Sequence, residues 1–146
     1  MRKLLLILPA AVFLSCNGGS KKGNSEASSE VMELSAETKQ SVSQGAELYN
    51  NFCASCHLSS GGGIAGVFPP LKNSNWLSEE RKKVIHTVKY GLQGEITVNG
   101  TEYDNLMPAL GLTDAEVADI LNYVFNSWGN KVGPPVTEEE VAAIEK

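Results

Sequence analysis

Asn51-Phe52-Cys53-Ala54-Ser55-Cys56-His57, "NFCASCH", runs directly into Leu58 to Gly66, "LSSGGGIAG". Two cysteines, a histidine and a glycine run admit four chemistries: a zinc knuckle, a redox dithiol, a nucleotide loop or a covalently held haem. The residues on either side separate them.

A closed zinc site needs four ligands. Beyond this motif the chain offers only Cys16, near its start, and the distant His86, which make a poor structural site. A thioredoxin-like dithiol requires a strand before it and a βαβ setting; here a helical pattern leads in and a glycine loop leads out. Gly61, Gly63 and Gly66 satisfy G-x-G-x-x-G, yet they follow no strand and open no βαβ unit. They read better as a pliable loop that lets backbone pass close to a flat cofactor. What remains is Cys-x-x-Cys-His, the sequence that receives covalent haem c through thioether bonds to Cys53 and Cys56 and sets His57 beneath the ring as an iron ligand. The spacing is physical: one turn of chain must reach both vinyl groups and leave the histidine on the porphyrin axis.

The opposite face of the iron has two candidates, Met107 and His86. Met107 lies in "NLMPALG", residues 105–111, an irregular loop that Pro108 stiffens. It is the only methionine after Met32. His86 falls mid-helix beside Lys82 and Lys83 and reads as a surface or packing histidine. Met107 is therefore the expected second ligand.

Helical patterning surrounds these residues. Ser41 and Gln44 have capping-box spacing, predicting a helix from Ser41 toward Cys53 with Gly45, Tyr49 and Phe52 on one face. Ser78 is the expected N-cap of a second helix, with a Glu79 to Lys83 pair, a buried stripe of Val84, Ile85 and Val88, and Gly91 as its stop. "ITVNGTEY", residues 96–103, predicts a hairpin about a type I′ Asn99-Gly100 turn. Thr113 and Glu116 cap a last long helix carrying Val117, Ile120, Leu121, Val124 and Trp128 and stopping at Gly129. After Gly133-Pro134-Pro135, a short helix from Thr137, stapled by Val136 and Val141, is expected to lie on the main domain as an appendage.

The N-terminus reads as a secretory signal. Met1-Arg2-Lys3 is basic, Leu4 to Leu14 is an apolar run of eleven residues, and small residues follow. That run is well short of the roughly twenty apolar residues that span a bilayer. Leu14-Ser15-Cys16 resembles a bacterial lipobox, implying an acylated Cys16 as the first mature residue; ordinary cleavage nearby, for instance after Ser20, is the alternative. Removing residues 1–15 leaves ten basic and 17 acidic residues, a net charge of −7. That excludes a basic nucleic-acid-binding surface and adhesion to anionic lipid.

With these motifs in view, residues 41–129 are identified as resembling a class I c-type cytochrome. Gly45, Tyr49, Cys53, Cys56, His57, Pro69, Leu71, Met107, Ile120 and Tyr123 match that family's signature positions. The resemblance implies an all-α small cytochrome c fold, three main helices around one haem, with a short β-hairpin and a C-terminal helical extension. It implies close crossing of the first and last helices at Gly45, and a Pro69 carbonyl that accepts a hydrogen bond from the far nitrogen of His57. Val67-Phe68-Pro69-Pro70-Leu71, Gly91-Leu92-Gln93-Gly94, Val98-Asn99-Gly100 and Asn126 to Asn130 are similar to the haem c domain attached to some copper-containing nitrite reductases. The chain lacks the copper domains, so that activity does not carry over.

The organisation expected is a signal segment at 1–15, a flexible tether at 16–40, the haem domain at 41–129 and the extension at 130–146. The function expected is one-electron transfer by a mono-haem protein with His57 and Met107 on iron, without enzymatic turnover or a small-molecule substrate. Its partners would be redox proteins met outside the cytoplasmic membrane, to which a lipid on Cys16 would anchor it. The alternatives are a haem enzyme or gas sensor with an open iron site, or a fixed cytochrome subunit of a larger oxidase or reductase.

Overall fold

The computed structural model describes residues 34–146. The expectations for the signal segment, for Cys16 and for most of the tether fall on residues 1–33 and lie outside the described residues. Six helices and one hairpin follow in order: α1 Ala36–Phe52, α2 Ala54–His57, α3 Trp76–Glu79, α4 Arg81–Tyr90, β1 Ile96–Val98, β2 Thr101–Tyr103, α5 Asp114–Asn126 and α6 Glu138–Ala142.

The first helix begins earlier than its sequence suggests. Ser35, not Ser41, is the N-cap, its hydroxyl accepting from the Thr38 amide. The tether therefore ends before residue 36. Ser41 sits inside the helix, donating to Asp119 Oδ1 at 2.5 Å and accepting from Asn122 Nδ2 at 2.9 Å. A serine and glutamine three apart look the same whether the hydroxyl meets its own helix or a neighbouring one, and here the neighbour prevails.

α1 and α5 cross where α1 has no side chain. A Cβ on Gly45 would collide with the Asp119 carbonyl. One turn on, Tyr49 is fully buried, its ring 5.3 Å from that of Tyr123 and 5.2 Å from that of Trp128. α5 carries the capping box its sequence announces: Thr113 Oγ1 accepts from the Glu116 amide while Glu116 accepts from the Thr113 amide. Val117, Ile120, Leu121 and Val124 are buried as the 3.6-residue stripe requires. The helix ends at Asn126, so Trp128, with φ +53°, lies beyond it.

The second predicted helix is broken. Ser78 belongs to the short α3, its hydroxyl donating to the Asn75 carbonyl, and Glu80, at φ −141°, separates α3 from α4. Lys83 pairs with Glu80 at 3.8 Å, not with Glu79, whose carboxylate accepts from Asn75 Nδ2. Val84 and Ile85 are buried, Val88 partly, and α4 stops at Gly91 as expected. The hairpin pairs Ile96 with Tyr103 and Val98 with Thr101; Asn99 and Gly100 take the positive φ values, +50° and +79°, that a type I′ turn demands.

Residues beyond 130 are part of the core. Val136 and Val141 are buried in the same cluster as α4 and α5. The buried Asn122 donates to the Val136 carbonyl and accepts from the Val136 amide. Thr137 caps α6 through the Glu140 amide, and the Arg81 guanidinium grips Glu140 with two bonds of 2.6 and 2.8 Å while also donating to the carbonyls of Pro134 and Pro135. Among the described residues, no helix is long and apolar enough to cross a membrane.

Candidate functional site

The first helix ends where the cysteine motif starts. Cys53 is both the C-cap of α1 and the N-cap of α2, the turn that carries Cys56 and His57, and the Cys56 and His57 amides both donate to the Cys53 carbonyl. The chain then reverses at Leu58, φ +61°, where the buried Tyr49 hydroxyl donates to the Leu58 carbonyl at 2.7 Å. Positive φ is uncommon for leucine, and a residue held there costs about 1–3 kcal/mol unless its surroundings impose it. Tyr49 is one of those surroundings.

The loop that follows folds back on the histidine. The Gly63 amide donates to the His57 carbonyl, Ile64 and Phe68 exchange two bonds of 2.8 Å, and the amides of Leu71 and Lys72 both donate to the Gly61 carbonyl. Gly63, φ +62°, could carry no side chain, because a Cβ would meet the carbonyls of Phe68 and Pro69. A Cβ on Gly61 would strike the Trp128 ring, whose Nε1 donates to the Ser59 carbonyl. The loop thus delivers the Pro69 carbonyl to 2.9 Å from His57 Nδ1. A carbonyl only accepts, so Nδ1 carries the proton and the Nε2 lone pair is the one available to a metal. Burial lowers the pKa of His57 and outweighs the opposing effect of the Pro69 bond. The ring is therefore a neutral imidazole at physiological pH. Burial, reinforced by Cys56, pushes the Cys53 thiol up to about 11; conversion to a thioether would remove that proton altogether.

Met107 lines the same cleft as His57 from a separate loop. Its loop is docked by a two-bond bridge in which the Leu92 amide donates to the Met107 carbonyl at 2.8 Å and the Met107 amide to the Leu92 carbonyl at 2.9 Å. Gly91, φ +83°, makes this contact possible, since a Cβ there would lie 2.6 Å from the Met107 carbonyl oxygen and 2.8 Å from the Ala109 nitrogen.

One cleft is lined by Cys53, Cys56, His57, Pro69 and Met107 together, with Tyr49, Leu77, Val84, Val98, Ile120 and Leu121 among its apolar walls. His86 is not in it. His86 packs edge-on against Tyr90 at 5.1 Å and faces a shallow surface dent with Lys82, Lys83 and Glu140. The fit to haem c can be judged from the donors and from one orphan. Two thiols, an imidazole nitrogen and a thioether sulfur converge on an apolar slot. Thr87, whose Oγ1 is the one buried side-chain polar atom without a hydrogen-bond partner among the described residues, is also among the residues around that slot. An unmet buried hydroxyl costs on the order of 1–3 kcal/mol, so this one suits a cleft that receives a group with polar substituents. Haem c fits these residues.

Sequence reasoning did not single out the residues that brace the site from behind. The buried Asn130 accepts from the Asn73 amide and donates to the carbonyls of Leu71 and Val124, tying the chain after Pro69 to the end of α5. Asn122 also carried no local signal, because its partners Ser41 and Val136 lie 81 and 14 positions away along the chain.

Comparison with known proteins agrees with this geometry. The sequence profile for cytochrome c matches residues 42–128. Cytochrome c-552 of Thermus thermophilus is 40% identical over 109 residues, covering 68% of this chain and 82% of that protein. The alcohol dehydrogenase (quinone) cytochrome c subunit of Gluconacetobacter polyoxogenes is 33% identical over 104 residues, which is 68% of this chain and 22% of that one. The gluconate 2-dehydrogenase cytochrome c subunit of Pantoea cypripedii is 33% identical over 111 residues, 70% of this chain and 24% of that subunit.

Proposed function

The chain belongs to the cytochrome c family, electron-transfer proteins with covalently attached haem c, and from that premise we propose that His57 and Met107 are its two axial iron ligands. Haem supplies a one-electron ferric/ferrous couple, and a thioether ligand raises the potential of that couple relative to harder ligands. The chain's own part is to hold, orient and exclude. Cys53 and Cys56 fasten the group, the Pro69 carbonyl fixes the tautomer and tilt of His57, and the apolar walls keep water from the cleft. What supports the ligand pair is the convergence of a neutral, oriented imidazole and the Met107 loop on one apolar cleft.

The partners we propose are redox proteins met over a small, largely uncharged contact. Residues 48–71 and 105–113 contain no Asp, Glu, Lys or Arg. Phe52, Leu58, Ile64, Val67 and Leu106, the exposed large apolar side chains among the described residues, all fall in these two segments, which also supply His57 and Met107. The net negative charge lies elsewhere, so the rate of reduction by the physiological donor should change only about twofold between low and physiological salt. A steep fall with salt would overturn the neutral contact.

Export, with acylation of Cys16 holding the domain to a membrane, completes the proposal; its support is the basic start, the apolar run and the small residues around Cys16. The mass of the mature protein tests it, because lipid and haem add separate increments. A second reading is favoured by the dehydrogenase cytochrome subunits among the relatives: this chain is a resident subunit of a larger complex. Copurification of such a complex from membranes would support that over a free shuttle.

The ligand pair is tested directly by Met107→Ala. The variant should keep its covalent haem, lose the near-infrared sulfur-to-iron band expected of the ferric protein and bind carbon monoxide when reduced, which the wild type should refuse. An unchanged band would show the methionine was wrongly chosen.

A further inference from the structure

Lys89 is a heavily engaged cation that the electron-transfer reading does not use. It lies in the last turn of α4, two residues before the Gly91-Leu92 corner that docks Met107. Its Nζ sits 2.9 Å from Asp114 Oδ1, in the first turn of α5, and donates to the Val141 carbonyl at 2.9 Å and the Ile144 carbonyl at 3.4 Å. Its side chain is 14% exposed. Tyr90 adds a second tie, its hydroxyl donating to the Ile144 carbonyl at 3.0 Å.

These contacts have a particular relation to the Met107 loop. That loop leaves the hairpin at Tyr103, is docked at Met107 on Leu92, and re-enters regular structure at the Thr113 cap. Leu92 follows the C-terminus of α4, and Asp114 opens α5. Lys89 therefore joins the element that docks the loop's middle to the element that receives its end, and the C-terminal segment holds the same ammonium in place. Between its docking point and Thr113 the loop has no charged residue and no side-chain hydrogen bond of its own to hold it shut. Before the docking point Asn105 Nδ2 holds the loop to the Val67 carbonyl; beyond it, closure depends on the distance between the end of α4 and the start of α5.

We infer that Lys89 is a positioning residue for Met107: by clamping the end of α4 to Asp114 and to the C-terminal carbonyls, it keeps the methionine loop closed over the cleft. The inference rests on Met107 being the iron ligand. Arg81 provides an internal contrast, because it grips the same C-terminal segment through Glu140, Pro134 and Pro135 but at the opposite end of α4, away from the loop.

The test uses the full-length ferric holoprotein, with imidazole as the probe and the near-infrared band as the second readout. Imidazole binds only when the methionine loop opens, so its affinity reports the open population. Lys89→Met should bind imidazole about tenfold more tightly and lose the band on heating before the helices melt. Asp114→Asn, which weakens the clamp from the other side, should shift affinity the same way by about threefold. Arg81→Met should lower the melting midpoint but leave imidazole affinity within about twofold of wild type. Unchanged affinity in both Lys89→Met and Asp114→Asn overturns the inference, as does an equal shift in Arg81→Met, which would mean that general loosening is enough. A wild-type protein without the sulfur-to-iron band overturns the ligand assignment itself, an outcome distinct from a wild-type band that the Lys89 variant fails to disturb.

Discussion

The two walls of the cleft are built by opposite means. The histidine wall, residues 53–72, is held by its own backbone: a helical turn carries the cysteines, the loop amides return to the carbonyls of His57 and Gly61, and Tyr49, Trp128 and Asn130 lock it from behind. The methionine wall, residues 104–113, touches the rest of the fold through the two-bond bridge to Leu92, one bond from Asn105 Nδ2 to the Val67 carbonyl of the facing loop, the packing of Leu112 on the core, and its two ends. One wall is determined many times over, the other barely. The lesson is a division of labour. A covalently fastened face can afford no slack, whereas a face proposed to close on iron through one soft sulfur needs only to be held near it, and local opening energies are lowest where such contacts are few.

Glycine substitutions on the two walls sharpen that contrast, with the largest effect expected on the first. Gly63→Ala would put a methyl group against the carbonyls of Phe68 and Pro69 in a left-handed backbone. The left-handed penalty of about 1–2 kcal/mol adds to the collision, and the total should be about 3 kcal/mol, or a drop in Tm of about 10–20 °C. Because Pro69 orients His57, haem incorporation measured on the denatured chain should also fall. Gly91→Ala meets the Met107 carbonyl and the Ala109 nitrogen instead. It should cost less in Tm, about 5–10 °C, leave covalent haem intact and weaken the sulfur-to-iron band. If Gly63→Ala altered only the band, or Gly91→Ala abolished haem attachment, the contrast between the walls would be wrong.

The same asymmetry governs how much could be read from sequence. Cys53, Cys56 and His57 are legible because their chemistry depends on spacing along one turn, and the Thr113 capping box and the Asn99-Gly100 turn are legible because their partners are within three residues. Met107 was reached less directly, as the one methionine left near the fold, in a loop that Pro108 stiffens, and by the family resemblance. Ser41 was misread because its partners are Asp119 and Asn122, 78 and 81 positions away. The break at Glu80 was missed because α3 ties Ser78 to Asn75 in place of capping α4. The C-terminal segment was expected as an appendage, yet Val136 and Val141 enter the core and Asn122 pairs both polar groups of Val136. Nothing local in "GPPVTEEE" distinguishes a tail lying on a domain from one that completes it.

The smallest effect expected concerns that segment's far grip, which the methionine wall should not feel. Glu140 accepts two bonds from Arg81, and these hold its carboxyl below the usual carboxylate range despite partial burial. A carboxylate whose folded pKa is depressed adds stability that is present above its unfolded pKa and lost as pH falls through the folded one. Glu140→Gln keeps the shape and removes the charge. Both side chains are about a quarter to a third exposed, so solvent screening limits the pair to about 1 kcal/mol at neutral pH. The wild type should therefore melt about 3–6 °C above Glu140→Gln at neutral pH. That gap should close below the ordinary carboxylate range, where the wild-type side chain takes up a proton and also becomes neutral. The neighbouring Glu138 and Glu139 are common to both proteins and cancel in the difference. A gap that persists in acid would assign the stabilisation to shape and not to charge. A near-infrared band that weakens in step with the gap would show that the segment's two grips act on the methionine loop as one.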